Sequence, residues 1–450
     1  MPFNLPPLLS PPPEILEFLK TFSLVWQFFK SWGWVFLPFI LWPPFSYFWL
    51  WWRRELWIKN VYRPVLLEIK IPKEIEKPIR AMETVMSALH GVVYQPPDKW
   101  EKWIEGQVQT GISFEIVSLG GEIHFFVRVH KGFRQPLEAA IYSQYPEAEI
   151  IEVEDYTQKI PQDIPNKEWD LWGTDYRAIK HSAFPIKTYR DFETEMEVTP
   201  EKIIDPISNL LEGLSKIKPG EQFWFQIRAT PIGEDVAQAF IKEALAIRDN
   251  LARRKKPTPQ KSIFREFMEI LVFGVPIKRE EKGQEVIPPE MKLTPREREI
   301  IAEIERKISK PLFSCGIRFI LLGKRGVWDK SKLRIGFNFM NCFVTQDLNA
   351  LYPWGETLTK VKKSIFFPPI NLLAPRRLYI KCRKLFLNYV RRVNALYPKT
   401  KGDKSIFILN TDELVSIFHL PSWKITPVPG VQWIESKKKP PPGIPMEVIK

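Results

Sequence analysis

Hydrolysis of ATP by a P-loop needs glycines that cradle phosphate and a lysine that reaches it, in the order Gly-x-x-x-x-Gly-Lys-Ser/Thr. That order occurs nowhere in the chain. Gly323-Lys-Arg-Gly326 comes nearest, but its spacing is wrong and it reads as a turn after a strand. The chain is therefore not expected to hydrolyse ATP by itself. His124 and His130 lie six residues apart along a strand-like stretch, hence on one face, but no Cys or third His accompanies them. His90, His181 and His419 are scattered, and Glu280-Glu281 sits in a polar stretch where carboxylates are solvated. Neither a Gly-x-Ser-x-Gly elbow nor a His-Glu-x-x-His helix is present. Cys315, Cys342 and Cys382 are tens of residues apart, which excludes a Cys-x-x-Cys site and argues against a disulfide framework. No catalytic residue, metal ligand or cofactor is assigned, and the chain is not expected to be an enzyme.

The residues that could do something are cations. The 450 residues carry a net charge of +14. Most of it comes from Thr357–Gly402, a stretch rich in Lys and Arg without one Asp or Glu. Helical spacing places Tyr379, Cys382, Phe386, Tyr389, Val393 and Leu396 on one face and Arg377, Lys381, Lys384 and Arg391 on another. A basic amphipathic helix of this kind suits anionic lipid or nucleic-acid phosphate, with a merely solvated helix face as the plain alternative. The residues assigned to an anionic surface are Arg376, Arg377, Lys381, Lys384, Arg391 and Arg392.

Near the start, residues 31–52 run without a charge. As a helix they would extend about 33 Å, close to the thickness of a bilayer's hydrocarbon. Eight of the 17 tryptophans fall between Trp26 and Trp57, and tryptophan favours the membrane interface. Lys30 precedes the run and Arg53 and Arg54 follow it, marking the membrane boundaries. The greater positive charge after the run places the bulk of the chain in the cytoplasm, anchored to the inner membrane by a single pass. Pro43-Pro44 should kink or break the segment, and a re-entrant hairpin is the alternative. The proline-rich residues 1–13 read as an extended leader.

The elements that carry these features follow the order strand, helix, strand, strand, helix, strand, twice over. The first set is Val65–Ile71, a helix from Pro78 to Leu89, Ile112–Leu119, Glu122–Val129 across Gly120-Gly121, a helix from Phe133 to Tyr145, and Glu149–Val153. The second set is a strand within Arg177–Tyr189, a helix opened by Asp205-Pro206, Glu221–Ala229, Leu312–Leu322, a helix from Leu333 to Val344, and Leu348–Tyr352. Helices interrupt the second set, on the stripes Val236–Leu251 and Phe264–Leu271 and behind the Thr294–Glu297 capping box. The expected fold class is α+β: a transmembrane segment followed by two ferredoxin-like βαββαβ units. The expected divisions are 1–58 (leader and anchor), 59–160 (first unit) and 161–356 (second unit, helical insertion about 233–310). Residues 357–402 are then the basic stretch and 403–450 a C-terminal tail.

Several blocks, among them Leu66–Gly91, Ile112–Val129, Ala139–Tyr156, Asp205–Ile227 and Ile408–Pro445, resemble the membrane-anchored region that precedes the motor domain in bacterial FtsK–HerA-class ATPases of conjugation and type IV secretion. The resemblance spans roughly residues 60–445, and its motifs are structural. It implies a membrane-anchored, non-catalytic component of a translocation system whose cytoplasmic platform meets a separate P-loop ATPase through the tail. Membrane lipid, DNA and further copies of the chain are the other partners considered. The alternatives are a membrane-associated nucleic-acid-binding protein and an unrecognised enzyme.

Overall fold

The computed structural model describes residues 13–72, 77–192, 205–252, 293–363, 368–394, 403–421, 428 and 430–434. The chain forms two compact units. The first contains α1 (Pro13–Asn60) and residues 97–108. The expected break at Pro43-Pro44 does not occur: Pro38, Pro43 and Pro44 all lie inside one continuous helix. Each proline removes a backbone donor. Around the pair, side chains three and four apart hold the helix together: Trp42 against Phe45 at 6.2 Å, Phe45 against Trp49 at 6.3 Å and Trp49 against Trp52 at 5.6 Å. Among the described residues no helix is both long and apolar enough to cross a membrane. The 31–52 run is long, but its bulk is aromatic and is interspersed with Pro, Ser and Tyr. Residues 1–12 of the expected leader lie outside the described residues, and Pro13 already belongs to the helix.

The second unit is built on one sheet. Its first part comprises β1 (Pro64–Pro72), α2 (Ile79–Val93), β2 (Ile112–Leu119), β3 (Glu122–His130), α3 (Arg134–Tyr142) and β4 (Glu149–Val153). Then come β5 (Trp169–Ala178), α4 (Ser208–Ser215), β6 (Glu221–Pro231), α5 (Glu234–Leu251), α6 (Pro295–Ile308), β7 (Leu312–Lys324), α7 (Arg334–Asn341) and β8 (Leu351–Pro353). The chain closes with α8 (Ala374–Arg391), β9 (Phe407–Asn410), α9 (Thr411–Ile417) and β10 (Trp433–Ile434). The first six elements pair as β4–β1–β3–β2 and the later strands as β6–β7–β5–β8, every pair antiparallel. β2 and β6 join the two halves, in register from Ile112↔Ala229 to Leu119↔Gln222. The two βαββαβ patterns are thus halves of a single sheet.

The strand expected within 177–189 is instead β5, at 169–178. Of the expected C-terminal tail at 403–450, the described residues carry elements that join the sheet and its core. β9 pairs with β7, β10 pairs with β1, and every residue of α9 is buried. The α9 capping box is completed by Asn410 and Glu413, and Glu413 also receives the buried Lys307 at 2.9 Å. The stripe expected over Phe264–Leu271, together with Glu280-Glu281 and residues 435–450, lies outside the described residues.

Alternation along the strands gives the sheet two unlike faces. Phe114, Ile116, Phe125, Phe223, Phe225 and Phe319 belong to the main apolar core with α2, α4, α7 and α9. The opposite face holds Val117, Phe126, Trp224, Ile320 and Leu322, and α8 packs on it through Cys382, Leu385, Phe386 and Tyr389.

Candidate functional site

The face under α8 is crossed by a row of residues that are polar at every position but Phe126. Following the pairing register, Glu68, Phe126, Glu115, Gln226, Arg318 and Asp175 stand side by side on β1, β3, β2, β6, β7 and β5. All six are buried. Each polar member sits in a strand whose other residues are mostly apolar, such as Glu115 between Phe114 and Ile116 and Arg318 between Ile317 and Phe319.

α8 covers the middle of this row. Gly173 on β5 lets it come close: a Cβ there would fall 2.3 Å from the Phe319 carbonyl oxygen and 2.9 Å from Leu385. Trp224 meets Tyr389 with ring centroids 5.1 Å apart. Helix 8 then ends at Arg392, whose backbone is left-handed at φ 54°, the one non-glycine residue with positive φ among the described residues.

Arg392 corrects the sequence-based assignment. It does not face an anionic surface. It is buried, with Nε 3.0 Å from Glu115 Oε1, Nη2 3.1 Å from Glu115 Oε2 and Nη1 2.5 Å from Asp155 Oδ2. Glu115 also accepts from Ser113 Oγ at 2.7 Å, Gln226 Nε2 at 2.9 Å and Tyr156 Oη at 2.7 Å. Since Tyr156 spends its proton on Glu115, Tyr389 donates to Tyr156 across 2.8 Å. Burial pushes the Glu115 carboxyl up, but the charge and hydrogen bonds of Arg392, with Ser113 and Tyr156, outweigh it and hold the group below the ordinary value. Asp155 is lowered in the same way, burial being overcome by Arg392 and by Thr157. A buried pair with its lone pairs satisfied in this manner tolerates the loss of neither partner.

A second ion pair anchors the segment that follows. Arg318 Nε is 3.0 Å from Asp175 Oδ1, and Arg318 Nη2 donates to the Val393 carbonyl at 2.5 Å. Arg228 donates to the Arg392 carbonyl at 3.4 Å, and burial, with repulsion from Arg318, lowers its pKa to about 10. At Asp175 burial prevails over Arg318, so its carboxyl is raised.

The remaining cations of the expected site stay outside. Arg376, Arg377, Lys384 and Arg391 are exposed. Lys381 is half-buried and donates to the Gly355 carbonyl at 3.2 Å. The helix is therefore divided: residues 375–380 are all exposed, including the apolar Leu378, Tyr379 and Ile380, whereas Cys382, Leu385, Phe386 and Tyr389 pack on the sheet. Two grooves flank it. One of about 330 Å³ is lined by Tyr379, Ile380, Lys384, Leu387 and Arg391. The other, about 620 Å³, is lined by Lys167, Trp172, Arg325, Lys330 and Tyr379 among others. Of the stretch's apolar face, Cys382, Phe386 and Tyr389 are buried as expected, Tyr379 is exposed, and Leu396 lies outside the described residues.

The other candidates do not converge. His124 pairs with Glu68 at 2.5 Å, while the His130 ring accepts from the Gly132 amide at 3.2 Å. His419 pairs with Asp205 at 2.9 Å. Among the described residues no group of three or more His, Cys, Asp or Glu could hold a metal ion. At the membrane-boundary positions, Lys30 is exposed and Arg53 Nε donates to the Ile104 carbonyl at 2.5 Å. Arg54 keeps its Nε buried. No family model matches the chain, and no curated protein matches it.

Proposed function

We propose that this protein is a membrane-anchored, non-catalytic component of a conjugation-like or type IV secretion-like translocation system, a cytoplasmic platform for a separate P-loop ATPase. The observation that carries the anchor is the surface of α1. Phe39, Ile40 and Trp42 are 76%, 66% and 60% exposed, and Leu37, Leu41, Phe45 and Phe48 are exposed with them. Large apolar side chains exposed to this extent need an apolar surround, and a bilayer supplies one. The run's Trp-rich ends suit the headgroup layers, and Arg53-Arg54 favours a cytoplasmic second unit at the inner membrane. The pairing orders β4–β1–β3–β2 and β6–β7–β5–β8 support reading the two halves of the sheet as ferredoxin-like units. The platform role itself rests on the sequence resemblance.

Membranes from cells making the full chain supply the test. The protein should resist extraction by alkaline carbonate and should co-purify with a P-loop ATPase. Release by carbonate would end the anchor reading, and a resistant protein that retains no ATPase would end the platform reading. A second reading, nucleic-acid binding at the membrane, is favoured by the exposed Arg376, Arg377, Lys384 and Arg391 on α8. It requires DNA affinity that falls steeply with salt.

A further inference from the structure

Residues 97–108 leave the chain between α2 and β2 and dock on α1 within the first unit. Their short helical turn, Glu101–Glu105, opens with a reciprocal pair: the Asp98 amide donates to Glu101 at 2.9 Å and the Glu101 amide donates to Asp98 at 2.7 Å. It closes at Gly106, whose φ of 79° belongs to glycine. A Cβ at Gly106 would lie 2.3 Å from the Arg53 carbonyl oxygen, so the close approach to α1 needs glycine for a second reason. Trp49 Nε1 donates to the Trp103 carbonyl at 2.8 Å and Arg53 Nε donates to the Ile104 carbonyl at 2.5 Å. The docked turn thus sits where the uncharged run ends and Arg53 and Arg54 follow it. Docking leaves Trp100 64% and Ile104 40% exposed.

From this geometry we infer that residues 97–108 are an interfacial collar, seated in the headgroup layer of the bilayer that α1 enters, with Trp100 and Ile104 reaching the acyl boundary. The inference rests on the anchor reading proposed above. Tryptophan, with an apolar ring and one polar N–H, favours that depth. Exposed Lys99 and Lys102 can lay their stems on apolar surface and keep their charges in water. Asp98, Glu101 and Glu105 outnumber those two cations. Insertion of Trp100 and Ile104, not attraction to acidic lipid, is then the driving term. The collar would set the depth of the helix and join the membrane segment to the chain at a second point.

The test uses the full chain with Cys342→Ser, since Cys315 and Cys382 are buried. A polarity-sensitive fluorophore is placed at Trp100→Cys, Ile104→Cys or, as a water-exposed control, Val236→Cys, and each protein is reconstituted into phosphatidylcholine vesicles. Spin labels near the headgroup should quench positions 100 and 104 several-fold more than position 236, and more than spin labels deep in the acyl chain do. Gly106→Val should abolish that quenching while carbonate resistance persists. Should that variant not accumulate, Trp100→Glu in the Ile104→Cys protein should lower the quenching at 104. Probes at 100 and 104 that remain as water-accessible as 236 in a carbonate-resistant protein overturn the collar alone. Carbonate release of the parent protein overturns the anchor and the collar together.

Discussion

The two ends of α8 carry the same residue types and do opposite work. At the start, Arg376 and Arg377 stand in solvent beside Leu378, Tyr379 and Ile380. At the end, Arg392 is enclosed by Glu115, Asp155, Tyr156 and Tyr389, and its carbonyl is held by Arg228. A run of arginines is therefore not one feature. Where a cation meets buried carboxylates it organises the core, and where it meets water it remains free for a partner. α8 is locked at its C-terminal end and presents its N-terminal end.

The largest expected effect comes from breaking the locked end. Arg392→Leu leaves Glu115 buried without its cation and should cost roughly 3–5 kcal/mol, read from the urea midpoint at unchanged m. A loss below about 1 kcal/mol, typical of surface pairs, would erase the contrast between the two ends. The pH dependence should change sign with it. Glu115 and Asp155 have folded-state values below their unfolded ones, so their stabilisation is complete above about pH 5 and is lost as pH falls through the folded values. Without Arg392, burial, the largest influence on Glu115, is opposed only by the Ser113 and Tyr156 hydrogen bonds and should raise it, so that limb should gain stability on acidification. Asp175, already raised, contributes in that gaining direction in both proteins. An acid limb identical in the two proteins would show that Arg392 does not control these carboxylates.

Next in size are the cations that lie outside the buried face along the helix. Replacing Arg377, Lys381, Lys384 and Arg391 together by Glu should weaken binding to acidic vesicles or to DNA at low salt, by about 1 kcal/mol per basic residue at an acidic lipid surface. The variant should still melt cooperatively. Binding that remains unchanged to both surfaces would make the exposed end a solvated helix face. Loss on vesicles with DNA affinity untouched would assign the cations to lipid.

A smaller change sharpens the locked end. Tyr389→Phe removes the donor to Tyr156 and nothing else, at a cost of about 0.5–1.5 kcal/mol. In a double-mutant cycle with Arg392→Leu its effect should be non-additive, because both side chains act through Glu115. The smallest effect is expected from Arg376→Ala alone, within about 0.5 kcal/mol in stability. A large loss there would place the N-terminal end in the core after all.

Local pattern determined much of this molecule. Alternation and Gly120-Gly121 placed β2 and β3 to within a residue, and the Thr294–Glu297 capping box placed the start of α6. The apolar face of α8 was legible at Cys382, Phe386 and Tyr389 because helical spacing is a property of neighbours in sequence. β5 was displaced because Asp170, Gly173 and Asp175 interrupt its pattern. Gly173 is there for the approach of Leu385, and Asp175 for Arg318, two contacts with residues far along the chain. The continuous helix through Pro43-Pro44 was missed for a different reason: proline's local cost is offset by aromatic contacts across the turn. Only the tertiary structure could join β2 to β6 and bring Glu115, Asp155 and Arg392 together, since strand edges and buried charges choose partners by proximity in space. A sign of the row was present in the chain, as single polar residues at alternate positions of apolar strands. Their meaning depended on which charge lay opposite. The same holds for Arg392: its charge is fixed by its chemistry, but whether that charge faces water or a buried carboxylate is decided by where the end of α8 lands on the sheet.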